Sequence, residues 1–362
     1  MDIKDRVDLV SRNTEEIITR EELETVLQNK SRPKAYWGFE CSGLMHIGMG
    51  LVVGTKIRDM INAGFDFTIF LADWHSLINN KLGGNMDSIR TCGNYFIDCF
   101  TAIGIPKNKV RYVWASELTG DKTYWEKVIR IGKSASITRI MRALPIMGRS
   151  MNSSDMEAAS VIYPCMQAAD IFQMELDVAC AGIDQRKAHM LARDVADKLG
   201  LIKPVCLHTP LLAGLQEPQA AKAGQFDENK TLDEKISSKM SKSVAASSIS
   251  IHDDESQVEA KIKAAYCPPK AAAGNPILEI ARLVIFPISG VLRIPRAEKH
   301  GGPIRYSSYS ELELSYGSGS IHPLDLKLGV SSALSEILKE PRNYFAQHPE
   351  NLASMKRIEL TR

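Results

Sequence analysis

One stretch of the chain, residues 36–50, constrains the fold more than any other. Its first half is rich in apolar, β-prone side chains, which predicts a strand. Residues 51–63 then carry apolar side chains at helical spacing, which predicts a helix. His46, Gly48 and Gly50 therefore lie where a strand turns into a helix. Backbone N–H groups at such a turn favour an anion, and glycine allows a nucleotide to approach closely.

The turn alone does not identify a ligand. Its spacing is neither Gly-x-Gly-x-x-Gly followed by an acid nor the P-loop pattern that ends in Gly-Lys-Ser/Thr. A packed strand-to-helix turn with an incidental histidine has the same pattern, so both interpretations stay open at this point.

Length and composition limit the class of protein. A chain of 362 residues is long enough for two domains, and a net charge of +2 restricts any nucleic-acid surface to a local patch. No apolar run approaches the roughly 20 residues of a membrane helix, and the charged N-terminus differs from a signal peptide. The seven cysteines lie scattered without CxxC pairs. We therefore expect a cytoplasmic protein without a membrane segment, a disulfide framework or a metal site.

Apolar strands separated by helices predict a parallel sheet that is covered on both faces. Residues 67–73, 110–116 and 176–182 are each predicted as a short, mainly apolar strand between helical patterns. Asp73 and His75 follow the first of these runs, at the sheet edge where ligands bind in open α/β folds. The predicted fold class is α/β, with a Rossmann-like, doubly wound parallel sheet.

The pattern changes at His252, where a mainly helical region begins. We predict a first domain over residues 1–251 and a helical C-terminal domain over residues 252–362. Within the first domain we expect N-terminal helices, a connecting insertion and a mobile loop, at residues 1–31, about 104–160 and 237–243.

Three polar residues stand out in an apolar helical segment. Tyr163, Gln167 and Asp170 are spaced i, i+4, i+7 and share one helix face, with Pro164 expected in the first turn. Polar groups on an inward face need partners, which are either other core groups or a bound ligand.

A basic helical segment runs from Tyr124 to Gly148. Its cations are Lys127, Arg130, Lys133, Arg139 and Arg142. Such a run is usually a solvated face, and an RNA-backbone surface is the competing interpretation.

Two short motifs resemble the signature sequences of class I aminoacyl-tRNA synthetases. They are His46-Ile-Gly48 and Lys239-Met-Ser-Lys-Ser243, in the order typical of that class and with a helical domain after the second. The second motif is matched letter for letter, whereas Met49 stands where the first normally ends in a second histidine. A thioether cannot do that histidine's work as a donor, so His46 alone is carried over there.

The resemblance implies attack by an amino-acid carboxylate on the α-phosphate of ATP. The protein has to position the reactants and stabilise the charge on phosphate oxygens. Lys239 and Lys242 would close over the β- and γ-phosphates while His46 donates to a phosphate oxygen, which makes these three the catalytic candidates. The ATP site implied is Gly38, Glu40, His46, Gly48, Lys239, Met240, Ser241 and Lys242. Mg²⁺ would accompany ATP without a dedicated protein cage.

The resemblance narrows to tyrosyl-tRNA synthetases of the archaeal and eukaryotic type. It rests on Tyr36-Trp-Gly-Phe-Glu40, Phe70-Leu-Ala-Asp-Trp-His75, Tyr163-Pro-Cys-Met-Gln-Ala-Ala-Asp170, Asp184-Gln-Arg-Lys-Ala-His189 and His322-Pro-Leu-Asp325. It implies that Tyr36 and Asp170 bind the phenolic hydroxyl of L-tyrosine. The implied ligands of its α-ammonium are Tyr163, Gln167 and Gln185.

The same resemblance makes tRNA(Tyr) the macromolecular partner and the C-terminal domain an anticodon-binding domain. Asp325 would recognise a guanine as the first anticodon base, His300 would stack on that base, and Arg186 would contact the first acceptor-stem pair. A surface salt bridge is the alternative for each. A homodimer is also implied, through helices at about 87–103 and 124–146.

Three other functions remain open from the sequence. A tryptophanyl-tRNA synthetase should lack the Tyr36/Asp170 pair. A small-molecule nucleotidyltransferase would not need residues 322–325 or the domain around them. A non-catalytic, synthetase-like RNA-binding protein would agree with Met49 but not with His46, Lys239 and Lys242.

Overall fold

The computed structural model describes residues 1–148, 156–218, 226–241 and 247–360. A six-stranded sheet forms its centre. The strands in chain order are β1 (Glu16–Ile18), β2 (Lys34–Phe39), β3 (Asp66–Leu71), β4 (Val110–Trp114), β5 (Val178–Gly182) and β6 (Val205–Thr209). Their spatial order is β1–β6–β5–β2–β3–β4, with β1 antiparallel to β6 and every other neighbouring pair parallel. From β2 the chain first adds strands on one side and then on the other, which confirms the doubly wound sheet.

Helices connect and flank these strands. They are α1 (Ile3–Ser11), α2 (Arg20–Asn29), α3 (Val53–Asn62), α4 (Asp73–Ile78), α5 (Met86–Ala102), α6 (Ala115–Leu118), α7 (Lys122–Ser134), α8 (Ile137–Met141), α9 (Ala158–Gln173), α10 (Arg186–Leu199) and α11 (Lys230–Ser238). The segment predicted as a connecting insertion supplies the edge strand β4 together with α6, α7 and α8.

The C-terminal region is mainly helical, as predicted. It contains α12 (Glu255–Ala264), α13 (Pro276–Ile280), α14 (Phe286–Ser289), α15 (Tyr309–Gly317), α16 (Pro323–Ile337), α17 (Lys339–Gln347) and α18 (Glu350–Leu360). The strands β7 (Leu292–Ile294) and β8 (Ile304–Tyr306) add a small antiparallel hairpin. The apolar core runs on from the sheet into these helices.

The C-terminal helices dock on α5. The Asp98 carboxylate of α5 accepts hydrogen bonds from the Tyr344 hydroxyl at 3.1 Å and from Asn351 Nδ2 at 2.7 Å. One turn earlier, the buried Tyr95 ring lies 5.9 Å from the Phe345 ring, measured between centroids. Because the Tyr95 hydroxyl also accepts the Met45 backbone N–H at 3.1 Å, α5 joins the C-terminal helices to the residue next to His46.

The prediction of an all-helical N-terminus was wrong for β1. Its three residues pair with β6, Glu16 opposite His208 and Ile18 opposite Cys206. A strand of three residues is too short to show alternation of apolar and polar side chains. The helical patterns on both sides therefore gave no indication of it. Thr19 is the N-cap of α2, in a reciprocal capping box with Glu22.

The predicted position of Pro164, in the first turn of its helix, was also wrong. Pro164 lies inside α9, which begins at Ala158, rather than in the first turn. A proline inside a helix removes one N–H donor, which disfavours the helix locally. Packing of α9 against α7 and α10 outweighs that cost, and Pro164 is itself buried.

Candidate active site

A cavity of about 660 Å³ opens at the carboxyl ends of β2 and β5. The strand order reverses between these two strands, which is where doubly wound sheets bind ligands. Every described residue predicted for the tyrosine and ATP sites lines this cavity: Tyr36, Gly38, Glu40, His46, Gly48, Tyr163, Gln167, Asp170, Gln185, Lys239, Met240 and Ser241. Lys242 lies outside the described residues.

Asp170 occupies the deep end of the cavity and is 1% exposed. Its Oδ1 accepts a 2.8 Å hydrogen bond from the Tyr124 hydroxyl of α7. Its Oδ2 lies 3.1 Å from Nε2 of His75, the third residue of α4. Side chains from two different helices, α7 and α4, therefore contact the two carboxylate oxygens of Asp170.

Tyr36 faces the same space from β2. Its ring is buried, and in the described part of the chain its hydroxyl has no hydrogen-bond partner. Burial, with the nearby Asp170 charge, raises the pKa of Tyr36 well above its usual range. The phenol stays protonated and is available as a hydrogen-bond donor.

Two amides form the middle of the cavity wall. Gln167 Nε2 donates to Gln185 Oε1 at 3.3 Å, and Gln185 Nε2 donates to the Ile146 carbonyl at 3.0 Å. The Oε1 of Gln167 is buried and has no hydrogen-bond partner among the described residues. An unpaired buried acceptor is costly unless a ligand donates to it.

Glu40 lies between the regions of the cavity that were predicted to bind tyrosine and ATP. Its Oε1 accepts hydrogen bonds from the Tyr163 hydroxyl and from Asn79 Nδ2, both at 2.8 Å. Its Oε2 lies 3.3 Å from the Lys81 ammonium. Burial, together with Glu40, raises the pKa of Tyr163 well above its usual range.

The turn after β2 is built as the sequence predicted. A π-helical turn, Gly48–Val52, leads directly into α3. The residues on either side of His46 are fixed by a segment that precedes α12: the Ile47 N–H donates to the Ile249 carbonyl at 2.9 Å, and the Ile251 N–H donates to the Met45 carbonyl at 3.0 Å. His46 therefore reaches the cavity from a backbone that is held on both sides.

Lys239 follows directly after α11 and lines the cavity from the wall opposite the His46 turn. Its ammonium lies 2.6 Å from Asp184 Oδ2, in the turn that precedes α10. Asp184 raises the pKa of Lys239, although burial opposes the shift. The Met240 N–H donates to the Leu212 carbonyl at 2.7 Å, which fixes the start of the lysine-rich segment. Ser237 and Ser238, predicted in this loop, are the last residues of α11.

Comparisons with known proteins place nearly the whole chain in the class of enzymes that its two short motifs resemble. Residues 28–339 match the family described as tRNA synthetases class I (W and Y). A tyrosine–tRNA ligase of Aeropyrum pernix is 46% identical over 360 residues, which span 99% of this chain and 98% of that protein. The chain belongs to the class I tRNA synthetases.

Solved synthetase structures match the fold as closely. A tyrosyl-tRNA synthetase of Pyrococcus horikoshii, complexed with L-tyrosine, gives a TM-score of 0.92 at 39% identity, covering 99% of this chain and 100% of the other. The tyrosyl-tRNA synthetase of Aeropyrum pernix gives 0.86 at 42%, covering 99% of each chain.

Arg186 of this synthetase lies outside the main cavity. It lines a second cavity of about 700 Å³, between α8, α10 and α11, and its Nε lies 2.7 Å from Glu16 Oε1. Arg139 and Arg142 from the predicted basic segment line the same cavity. The cations of the basic segment therefore do not all lie on one surface. Lys127 does not line this cavity, and its ammonium donates to Gln173 Oε1 at 2.7 Å.

The two predicted anticodon residues lie on separate elements of the C-terminal region. His300 is exposed in the short turn Glu298–His300, and Asp325 is half-buried in the first turn of α16. Arg296 links the two segments, since its guanidinium donates to the Gly302 carbonyl at 3.0 Å and to the Ser320 carbonyl at 3.2 Å.

Sequence reasoning missed Asn79 and Lys81, which line the cavity, and Tyr124, which holds Asp170 from behind it. Tyr124 reaches Asp170 from a helix 46 residues away in the chain, so no local spacing could indicate it. Asn79 and Lys81 follow α4, and their only signal was their position after a predicted sheet strand.

Two kinds of structure were not found in the described ranges. Residues 1–148, 156–218, 226–241 and 247–360 contain no group of three His, Cys, Asp or Glu side chains placed to hold a metal ion. No helix in these ranges is long and apolar enough to cross a membrane.

Proposed function

We propose that this chain is a tyrosyl-tRNA synthetase, which activates L-tyrosine with ATP and transfers the tyrosyl group to the 3′-terminal adenosine of tRNA(Tyr). One observation carries the proposal. A single cavity joins the buried Tyr36/Asp170 pair to the His46 turn and to Lys239.

The deep end of the cavity would hold the phenol ring of the substrate. Its hydroxyl would donate to Asp170 and accept from Tyr36, whose raised pKa keeps it protonated. Phenylalanine would give the Tyr36 hydroxyl no acceptor and Asp170 no donor from the substrate. Sites that satisfy a substrate hydroxyl in this way discriminate by about 10⁴–10⁵.

The substrate α-ammonium would lie at the two amides. The unpaired Gln167 Oε1 is an acceptor at the correct depth, and Gln185 fixes its orientation. Tyr163 is proposed as a third ligand, with its hydroxyl oxygen as the acceptor because its proton is donated to Glu40.

ATP would bind between the His46 turn and the segment that begins at Lys239. His46 and Lys239 would stabilise charge on the phosphate oxygens, with Lys242 as the second lysine of the motif. The cavity carboxylates Glu40 and Asp184 already pair with Lys81 and Lys239, which supports Mg²⁺ entering on the ATP phosphates rather than in a protein cage. A cytoplasmic location remains our expectation.

For tRNA(Tyr), we assign the acceptor end to Arg186 and the anticodon to Asp325 and His300. The cations around Arg186 support an RNA-backbone surface there. The link through Arg296 supports a joint role for the loops of His300 and Asp325.

A homodimer is part of the proposal. On α7, Trp125 and Ile129 are one turn apart and 42% and 62% exposed, which supports this helix as a contact surface. The other helix predicted for the dimer, α5, has most of its apolar side chains in the core of its own chain and is packed by α17 and α18. Sedimentation of the wild type and of Ile129→Glu tests the arrangement, and a monomeric wild type would contradict it.

The decisive experiment is ATP–pyrophosphate exchange with tyrosine, phenylalanine or tryptophan, for the wild type and Asp170→Ala. Exchange with tyrosine alone, lost or relaxed towards phenylalanine in the variant, is the expected result. Exchange with tryptophan would change the assignment to a tryptophanyl-tRNA synthetase. No exchange with any amino acid, from folded protein with magnesium, would leave a non-catalytic RNA-binding relative.

A further inference from the structure

His75 is a buried imidazole at the centre of the amino-acid site. It is 2% exposed and lines the same cavity as Tyr36 and Asp170. The rings of Tyr163 and Phe70 meet it edge to face, with centroid distances of 5.0 Å and 6.0 Å. These contacts fix the plane of the imidazole, so its nitrogen atoms have defined directions.

The nitrogen atoms of His75 are not satisfied by ordinary hydrogen bonds. Nε2 lies 3.1 Å from Asp170 Oδ2 without the alignment of a good hydrogen bond, and in the described part of the chain Nδ1 has no partner. Contacts of this kind at substrate sites often align only in the substrate complex. A buried polar ring kept against one carboxylate oxygen suggests a function beyond packing.

The surroundings of His75 favour its charged form. Burial alone would lower the pKa of His75, but Asp170 and, more weakly, Glu40 and Asp73 raise it overall. In the described residues no Lys or Arg side chain forms an ion pair with Asp170. Among the described residues, His75 is therefore the basic side chain that the fold places against this carboxylate.

The Asp170 carboxylate is held at both oxygens. Tyr124 donates to Oδ1 at 2.8 Å, and His75 faces Oδ2. If the His75 contact is lost, Tyr124 alone restrains rotation of the carboxylate about its Cβ–Cγ bond. A substrate hydroxyl can be recognised with high selectivity only if its acceptor keeps one orientation.

We propose that His75 is a positioning and specificity-determining residue, whose Nε2–H fixes the Asp170 carboxylate so that it accepts the substrate's phenolic hydroxyl. This inference rests on the proposed function, because it concerns the same amino-acid site. It assigns to α4 a role in choosing tyrosine over phenylalanine that the signature motifs do not provide.

Two substitutions separate this role from simple packing. His75→Phe keeps an aromatic ring against Tyr163 and Phe70 but has no donor. His75→Gln loses the ring but can place an amide N–H near the position of Nε2. If His75 only fills space, His75→Phe should be the milder change, whereas the positioning role predicts the reverse order.

The measurements are tyrosine- and phenylalanine-dependent pyrophosphate exchange, tyrosine binding by calorimetry, and thermal unfolding of each variant. We expect His75→Phe to raise the KM and Kd for tyrosine about 10–100-fold, as loss of a hydrogen bond to a charged group does, and to reduce the tyrosine/phenylalanine ratio. The KM for ATP should not change. His75→Gln should restore most of the tyrosine affinity.

The outcomes distinguish this inference from the proposed function. An active wild type whose His75→Phe variant keeps its tyrosine KM and selectivity would overturn the positioning role alone. The same holds if both variants lose ATP and tyrosine binding in parallel with thermal stability, because that pattern indicates a structural role. A folded wild type that neither binds tyrosine nor supports exchange would overturn both proposals.

Discussion

Two carboxylates of the main cavity, Glu40 and Asp184, each pair with a lysine, whereas Asp170 faces a tyrosine hydroxyl and an imidazole. The difference separates the cavity into two chemical regions. Lysines lie where phosphate charge would develop, and a carboxylate held by a hydroxyl and an imidazole lies where a phenol would bind. Selectivity and catalysis therefore depend on different side chains and can be tested separately.

Removal of the Tyr36 hydroxyl should change selectivity without changing the fold. Since this hydroxyl has no partner in the described residues, Tyr36→Phe should leave the unfolding temperature unchanged. Exchange with tyrosine should fall about 10–100-fold, the effect of one lost hydrogen bond to a substrate, while the background with phenylalanine should not fall. Tyr112→Phe is the matched control, because Tyr112 also has a buried hydroxyl without a partner but lies outside the cavity. Equal losses in both variants would contradict the role of Tyr36.

Removal of the Lys239 ammonium should slow activation. Lys239→Ala should lower kcat for exchange about 10²–10³-fold, the usual effect of one transition-state donor, with little change in the KM for tyrosine. Lys230→Ala, at the exposed start of the same helix, should match the wild type. A changed tyrosine KM with an unchanged kcat, measured by steady-state exchange, would assign Lys239 to substrate binding instead.

At the scale of elements, the strands and helix faces that could be predicted from the sequence are those with a clear local pattern of apolar and polar side chains. Strands β2 to β5 lie in mainly apolar stretches, and the spacing of Tyr163, Gln167 and Asp170 placed them on one face of α9. β1 is too short to show a period, and the position of Pro164 inside α9 depends on tertiary packing. Tyr124 joins the site only through the folded arrangement of α7 and α9, which no local pattern encodes.

The turn after β2 depends on close packing as well as on its backbone. A Cβ atom at Gly50 would lie 2.5 Å from Ile251 Cγ2, so this glycine allows the turn to pack against the segment before α12. Gly50→Ala should therefore destabilise the protein by about 1–3 kcal/mol, the usual cost of overpacking, and reduce exchange by displacing His46.

The control for this prediction is Gly317→Ala. A Cβ atom at Gly317, the last residue of α15, would meet no heavy atom within 4 Å. Alanine there should be neutral or stabilise by up to about 1 kcal/mol. Thermal and urea unfolding of both variants measures the difference, and equal stabilities would show that the turn relaxes at no cost.

At the scale of the whole molecule, α5 connects the two parts of the chain. Asp98 binds α17 and α18, and Tyr95 contacts both Phe345 and the backbone of Met45. The sequence predicted a helical C-terminal region, but not which helix of the sheet region it packs against. That information lies in side chains more than 240 residues apart, Asp98 with Tyr344 and Asn351.

Loss of this docking contact should affect tRNA charging more than activation. Asp98→Ala leaves Tyr344 and Asn351 without their acceptor, so the C-terminal helices should be held less firmly. We expect an increased KM for tRNA(Tyr) in aminoacylation, nearly normal pyrophosphate exchange, and a broader calorimetric transition. Arg90→Ala, on the exposed face of α5 with no hydrogen bond or ion pair in the described residues, is the control. Parallel losses in both reactions would indicate a defect of the sheet domain instead.

The short turn before α10 places three consecutive residues in three different environments. Asp184 pairs with Lys239, Gln185 bonds Gln167 in the amino-acid region, and Arg186 pairs with Glu16 in the second cavity. An inserted residue here would rotate every later side chain of α10 by about 100°. Most connections of the chain can change length in evolution at little cost. This turn cannot, and its length should be as strictly maintained as the identity of any residue in the site.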